Sequence, residues 1–276
     1  MWTQFETNTR CNLKCTICPT DTMKQRAPMS DAMIAKIIEE AIPFSNTCYP
    51  FHYQEPLLEP RLISILQKIK EVNPACQTGI YTNMTLMDDE KSRALVECGF
   101  LDNIYISFYA PTRELYDKYQ PGARDWLTTQ NNILDLMKNR SGKTRPRVHM
   151  WYVEIPDLME HYPGMTAKWG KVVDVIQPVQ YESFNGRKPD LVQYNTFTTR
   201  HPCTRIWHGL NILCDGTVVP CCLDCNGEVP LGNAFEENCM DIWNGPKFMN
   251  LRNINQTCQF DKLPDLCVRC SVWKRQ

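Results

Sequence analysis

Cys11-Asn12-Leu13-Lys14-Cys15-Thr16-Ile17-Cys18-Pro19 is the stretch on which the reading of this chain turns. It sets three thiols at the spacing C-x3-C-x2-C. The segment is too irregular for a strand, so the thiols share a compact loop. Structural zinc sites usually close with four ligands, and this loop offers three. A [4Fe–4S] cluster held by three cysteines keeps one iron open, and thiolates suit iron–sulfur ligation well. Zinc and fortuitous spacing stay open on the spacing alone.

Moving outward, residues 3–10 include Phe5 and Thr7 and suit a short strand leading into the first cysteine. Ser30-Asp31 caps a helix expected over 31–42, with Met33, Ile34, Ile37, Ile38 and Ile42 on one face. Tyr49 to Tyr53 reads as a strand that ends in a loop at Gln54-Glu55-Pro56. A helix over 60–71, a strand over 78–82 and a helix over 88–98 ended by Gly99 follow. The run 102–109 is strongly β-prone. Beyond it come a helix over 126–138, a strand over 148–153, a short helix over 161–169 and a strand over 171–179. Strands alternating with helices predict a parallel sheet with crossover helices. The first ~190 residues hold about six such units, which makes the fold class α/β and the expected architecture a partial (β/α)6 barrel. After roughly residue 200 the texture changes to short strands, turns and cysteines. Leu210-Asn211-Ile212-Leu213 and Thr217-Val218-Val219-Pro220 flank Asp215-Gly216, a hairpin signal. The boundary is placed near 195–202, dividing the chain into residues 1–198 and a small cysteine-rich domain over 199–276.

Composition narrows the function classes. The 276 residues carry a net charge of −1 and 43% hydrophobic residues, so the chain has a substantial core and no electrostatic footprint for nucleic acid or an anionic membrane. No stretch approaches the ~20 apolar residues of a membrane span. Met1-Trp2-Thr3-Gln4-Phe5-Glu6 lacks the blocks of a secretion signal, which gives the expectation of a soluble, cytoplasmic protein. Fifteen cysteines are then too many for routine packing, and in a reducing compartment they point to metal or chemistry rather than disulfides. They concentrate at the two ends: none lies between residues 99 and 202, and the run from Cys203 to Cys270 is dense in them.

The cysteine loop following a first strand resembles the signature of the radical S-adenosylmethionine (SAM) superfamily. His52-Tyr53-Gln54-Glu55-Pro56-Leu57 is similar to the family's Gly-Glu-Pro segment, with Gln54 in place of the glycine. Tyr81-Thr82-Asn83-Met84 is similar to its Thr-Asn-Gly, and Ser107 falls where the fourth strand meets SAM. The resemblance implies a SAM-binding cluster on Cys11, Cys15 and Cys18. It implies SAM contacts from Gln54, Glu55, Asn83, Ser107 and the backbone of Ile17. It also implies reductive cleavage of SAM to a 5′-deoxyadenosyl radical, driven by a reducing partner such as flavodoxin or ferredoxin.

At the other end, Cys203, Gly216, Cys221 and Cys267-Val268-Arg269-Cys270 resemble the SPASM and twitch modules of the same family. The chain has no further cysteine after Cys270, so the shorter twitch form fits better. That form implies one auxiliary [4Fe–4S] cluster on Cys203, Cys221, Cys267 and Cys270, hence two clusters in all. Structural zinc suits the same spacing. Cys222 and Cys225 keep the ligand choice open, while Cys214, Cys239 and Cys258 read as spare thiols.

The resemblance leaves a choice of substrate. One reading is a small-molecule oxidoreductase or epimerase acting on a sugar-like or aminocyclitol-like carbinol. The other is a peptide-modifying maturase, disfavoured because the cluster loop begins at residue 11 with no recognition domain before it. Dehydrogenation needs a base near the carbinol, for which Arg187 is the candidate, with His149 and Glu154 behind it. Epimerisation needs a thiol hydrogen donor, for which Cys98 is the candidate alongside Cys48 and Cys76. The non-enzymatic alternatives are a zinc-binding interaction module and an iron–sulfur redox sensor.

Overall fold

The structure is a computed structural model, and it describes residues 1–123, 125–194 and 197–275. The first two residues of the expected boundary stretch, 195 and 196, lie outside the described residues. Among the described residues nine strands form one sheet in the order β6-β5-β4-β3-β2-β1-β7-β8-β9. The strands are β1 (Trp2–Phe5), β2 (Thr47–Tyr49), β3 (Gln77–Thr82), β4 (Asn103–Ile106), β5 (Arg147–Glu154), β6 (Val175–Gln180), β7 (Gly209–Ile212), β8 (Thr217–Val219) and β9 (Gly232–Asn233). β1 to β6 pair in parallel in sequence order, as βα units with crossover helices demand. The sheet does not close, so the α/β partial barrel expected from the sequence is the fold observed.

Local chemistry sets the elements. In α1 (Asp31–Ala41) the Ser30 hydroxyl accepts the Met33 N–H at 3.3 Å, and Ile34, Ile37 and Ile38 are buried on one face. α2 (Leu62–Val72) buries Leu62, Ile65, Leu66 and Ile69 in the same manner. α3 (Asp89–Glu97) is capped by Asp88, and Gly99 follows it at φ +72°. The second strand is shorter and earlier than expected, Thr47–Tyr49. Past it the chain turns to bring His52–Glu55 over the sheet's end, where side-chain hydrogen bonds outweigh β-propensity.

The tail is more helical than its texture suggested. Asn238 caps a helix over Cys239–Asn244, and Pro246 opens another over Pro246–Gln256 that buries Phe248, Leu251 and Ile254. The hairpin is where the sequence put it. Gly216 sits at φ +80°, and a Cβ there would fall 2.4 Å from Asn233 Oδ1. β7 pairs in parallel with β1, so the tail extends the same sheet. Ile206, Leu210, Ile212, Trp243 and Phe248 are buried in one cluster with Phe5 and the inner faces of α1 and α2. Each such fully buried side chain contributes about 1.5–3 kcal/mol, which ties the tail firmly to the sheet.

The sheet's two faces differ. Ile104, Ile106, Val148 and Met150 pack outward beneath the helices. The concave face carries aromatic side chains instead. Tyr81 stacks on Tyr105 at 4.3 Å, Trp151 meets Tyr81 edge-on at 4.5 Å, and Tyr49 adds a fourth ring at 5.9 Å from Tyr81. Trp2 lies against Gly209 of β7, where any Cβ would come within 2.2 Å of the indole. Among the described residues no helix is long and apolar enough to cross a membrane.

Candidate active site

A cavity of about 570 Å³ opens at the C-terminal ends of the parallel strands, above the aromatic face. That end is where loops converge in folds of this kind. Cys11, Cys15 and Cys18 line it, as do Ile17, Gln54, Glu55, Asn83 and Ser107. Every residue expected to hold SAM or its cluster therefore faces one space.

The loops are locked together by hydrogen bonds. Gln54 is buried, and its amide oxygen accepts the N–H groups of Thr7 at 3.1 Å and Asn8 at 3.3 Å. It clasps the base of the cysteine loop, which is why a side chain stands where the family pattern has glycine. Glu55 N–H donates to Arg10 O at 3.0 Å, and Cys18 N–H closes the loop on Cys15 O at 3.1 Å. The Glu55 carboxylate accepts from Thr82 Oγ1 at 2.7 Å, Asn83 N–H at 3.0 Å and Leu57 N–H at 3.2 Å. Burial nevertheless pushes it up to about 7, because those donors only partly replace lost water. Asn83 donates to Asn12 Oδ1 at 3.1 Å and thus joins the third strand's end to the cysteine loop. Ser107 is anchored through its backbone, its carbonyl accepting from Gln120 Nε2 at 3.1 Å.

The residues present fit a polar cofactor bound beside an iron–sulfur group. Gln120 is 1% exposed and lines the cavity, yet its Oε1 has no hydrogen-bond partner among the described residues. A buried acceptor left in that state calls for a donor from a ligand. Burial raises Cys11 to about 11 and lifts Cys15 and Cys18 as well, so metal must draw the protons off these thiols. Among the described residues no three His, Cys, Asp or Glu side chains converge tightly enough for a single ion. A multi-iron cluster takes its thiolates at separate irons and suits a wider spacing.

A second, tighter cavity of about 40 Å³ lies in the tail. Cys203, Cys221, Cys267 and Cys270 all line it. Cys203 N–H donates to Asn255 Oδ1 at 3.0 Å, and Arg200 donates to Cys267 O at 2.5 Å. Burial raises Cys267 to about 12 and pushes Cys221 and Cys270 up too. Cys222 turns the other way and lines the large cavity. Cys225 is buried and lines neither.

The structure brings none of the expected bases or hydrogen donors into the large cavity. Arg187 pairs with Glu228 outside it. Cys98 donates to Leu95 O at 3.3 Å and packs against the core. His149 stacks on Tyr105 at 4.7 Å, below the lining residues, and Glu154 is also absent from the lining. Cys48 and Cys76 are buried in the core. Glu182, Arg205 and Cys222 line the large cavity instead. Arg205 donates to Cys222 Sγ at 2.9 Å and lies 3.7 Å from Glu182 Oε1. His52 Nε2–H donates to Cys222 O at 2.9 Å, and the Tyr53 hydroxyl donates to the same carbonyl at 2.7 Å. Burial lowers His52 to about 4, so its ring is neutral. The Cys221-Cys222 doublet was the one sequence signal for this wall, since adjacent side chains diverge; Arg205 and Glu182 carried none.

Comparison with known proteins agrees with this geometry. Residues 5–146 match the radical SAM superfamily, and residues 203–271 match an iron–sulfur cluster-binding domain, SPASM. The SAM-dependent 2-deoxy-scyllo-inosamine dehydrogenase of Niallia circulans is 22% identical over 272 residues, 97% of this chain and 91% of that protein. The fold resembles the crystal structure of BtrN in complex with AdoMet and 2-DOIA at TM-score 0.66 and 19% identity, covering 98% of this chain and 92% of that one. It also resembles Streptococcus suis SuiB bound to its precursor peptide SuiA, at TM-score 0.70 and 14% identity, covering 91% and 66%. These structural likenesses concern the fold, and they span both small-molecule and peptide complexes.

Proposed function

The chain belongs to the radical SAM superfamily, with SAM and iron–sulfur clusters as its cofactors, and on that premise we propose that it oxidises a carbinol carbon of a small sugar-like or aminocyclitol-like substrate. One observation carries the reading: Arg205 and Leu223 line both cavities, so the second cysteine set stands one side chain behind the substrate space. When bound, SAM on its reduced cluster supplies the oxidant for a C–H bond, and a second cluster supplies an electron acceptor.

The chain's own residues bind, orient and exclude water. Cys11, Cys15 and Cys18 would hold the first cluster, and Cys203, Cys221, Cys267 and Cys270 would hold a single auxiliary cluster of the twitch type. Glu55, Asn83 and the unpartnered Gln120 Oε1 offer a charged, an amide and an acceptor contact to SAM. Tyr49, Phe51, Tyr81, Tyr109 and Trp151 wall the space with rings that keep water from a reactive carbon. Glu182, beside Arg205, is a carboxylate on the cavity wall and the group suited to take the substrate's hydroxyl proton. The expected small substrate is supported by the curated relative, a dehydrogenase that matches along nearly its whole length. A flavodoxin-like or ferredoxin-like reductant completes the proposal.

The test is anaerobic reconstitution followed by turnover of candidate polyols and aminocyclitols in deuterated buffer. A two-hydrogen mass loss with formation of 5′-deoxyadenosine is expected. Bound zinc without SAM cleavage would overturn the reading. A second reading, epimerisation, is favoured by the Cys222 thiol on the cavity wall and is marked by solvent deuterium at carbon in a product of otherwise unchanged mass.

A further inference from the structure

Cys221 and Cys222 are adjacent and both half-buried, and either thiol is a competent iron ligand. They are nonetheless sorted to opposite sides of one wall: Cys221 lines the small cavity and Cys222 the large one. Three contacts hold Cys222 where it is. Arg205 Nη1 donates to its sulfur at 2.9 Å, while His52 and Tyr53 grip its carbonyl at 2.9 Å and 2.7 Å. The first of these engages the thiol itself. The same guanidinium reaches Glu182 at 3.7 Å and lines both cavities.

We propose that Arg205 is the sorting and tuning residue of the wall between the two cofactor spaces: it keeps Cys222 out of the second cysteine set, and its fixed charge makes that set a better electron acceptor. The sorting half follows from orientation, since the hydrogen bond fixes the Cys222 sulfur on the large-cavity side, turned away from the second set. The tuning half follows from Coulomb's law in a half-buried wall. A cluster that gains an electron gains negative charge, and a nearby permanent cation stabilises that state and raises the reduction potential. Arginine suits the task because it cannot lose its proton there. Arg205 is thus a positioning residue for the second set rather than a group that reacts. The link to catalysis rests on the carbinol oxidation proposed above; the sorting and the potential do not.

The test uses the full chain with Cys11, Cys15 and Cys18 replaced by alanine, so that one cluster is observed. Iron per chain and the midpoint potential, from titration followed by electron paramagnetic resonance, are compared for the parent, Arg205→Gln, Arg205→Lys and Arg205→Gln with Cys222→Ser. Arg205→Gln is expected to keep its iron, shift the potential downward and alter the resonance through exchange of Cys222 into the set. Adding Cys222→Ser is expected to restore the parent's resonance while the potential stays low. Arg205→Lys should hold the potential near the parent's. An unchanged potential in Arg205→Gln at full iron overturns the proposal. Should Arg205→Gln lose its iron, Arg205→Lys decides: iron and potential retained support the charge argument, and iron lost in both overturns it. With the first cluster restored, Arg205→Gln is expected to spend about tenfold more SAM per product formed. If no substrate provokes SAM cleavage while the potential still shifts, the carbinol reading fails and the tuning role stands.

Discussion

The two cysteine-lined cavities were built from the same side chain and answer different needs. The first has the three thiols of one loop, with Cys222 elsewhere on its wall, around a space of about 570 Å³, and the second has four thiols around about 40 Å³. Three ligands beside a large space leave room for a second molecule. Four thiols around a small one would complete a cofactor's coordination and admit nothing more. Their supports differ as well. The first set hangs on the Gln54 clasp and the Glu55 hub over the strand ends, while the second is pinned between hairpin, helix and tail. The lesson is that ligand number and free volume vary together, so the open site is suited to a reaction and the closed one to exchanging electrons.

That contrast can be broken most severely at the first set. Cys15→Ala should abolish 5′-deoxyadenosine formation while leaving the second set's iron in place, read by chromatography and metal analysis. Loss of all iron would show that the two sites are not independent. Cys267→Ala should do the reverse: SAM cleavage persists, but the two-hydrogen oxidation of substrate falls to background. If oxidation continued undiminished, the closed site would be structural only.

A pH experiment sharpens the wall that separates them. The folded value of His52 is about 4, below its ordinary 6.5, because burial disfavours the imidazolium. The unfolded chain therefore binds a proton that the folded chain refuses. Stability is full above pH 6.5 and declines as pH falls towards 4, by up to about 3 kcal/mol. Urea unfolding of the cluster-free protein should show this decline, and His52→Gln should flatten it at the cost of some stability at neutral pH. A parallel decline in both proteins would assign the effect elsewhere. The smallest expected effect is at the hub. Glu55→Gln keeps the shape but weakens three hydrogen bonds, costing about 1–3 kcal/mol in thermal stability and weakening SAM binding about tenfold. Equal SAM affinity in parent and variant would remove Glu55 from the binding set.

Legibility in the sequence followed chain distance. The βα order, the α1 and α2 faces and the Asp215-Gly216 hairpin were all readable, since periodicity and turn chemistry act over a few residues. The helices over Cys239–Asn244 and Pro246–Gln256 were not, because cysteines and turn residues masked their apolar spacing. In the site, Cys11, Cys15, Cys18, Glu55, Asn83 and Ser107 were legible from motif spacing and do share a cavity. Arg187 was chosen for its place after the sixth strand and Cys98 for its thiol, and the fold holds them in other contacts.

By itself the sequence determined that this chain carries a three-thiol loop after its first strand, because thiols a few residues apart along a covalent chain are forced to be neighbours. The tail set, spread from Cys203 to Cys270, was implied by the family resemblance, with Cys222 and Cys225 left as rivals. Only the tertiary structure decided what stands between the two sets. His52 meets Cys222 across 170 residues of chain, and Arg205 takes its place between the cavities because β7 pairs with β1. Such contacts are made by packing and leave no local signature, so the wall between the cofactor sites could be read only once the sheet had brought the two ends together.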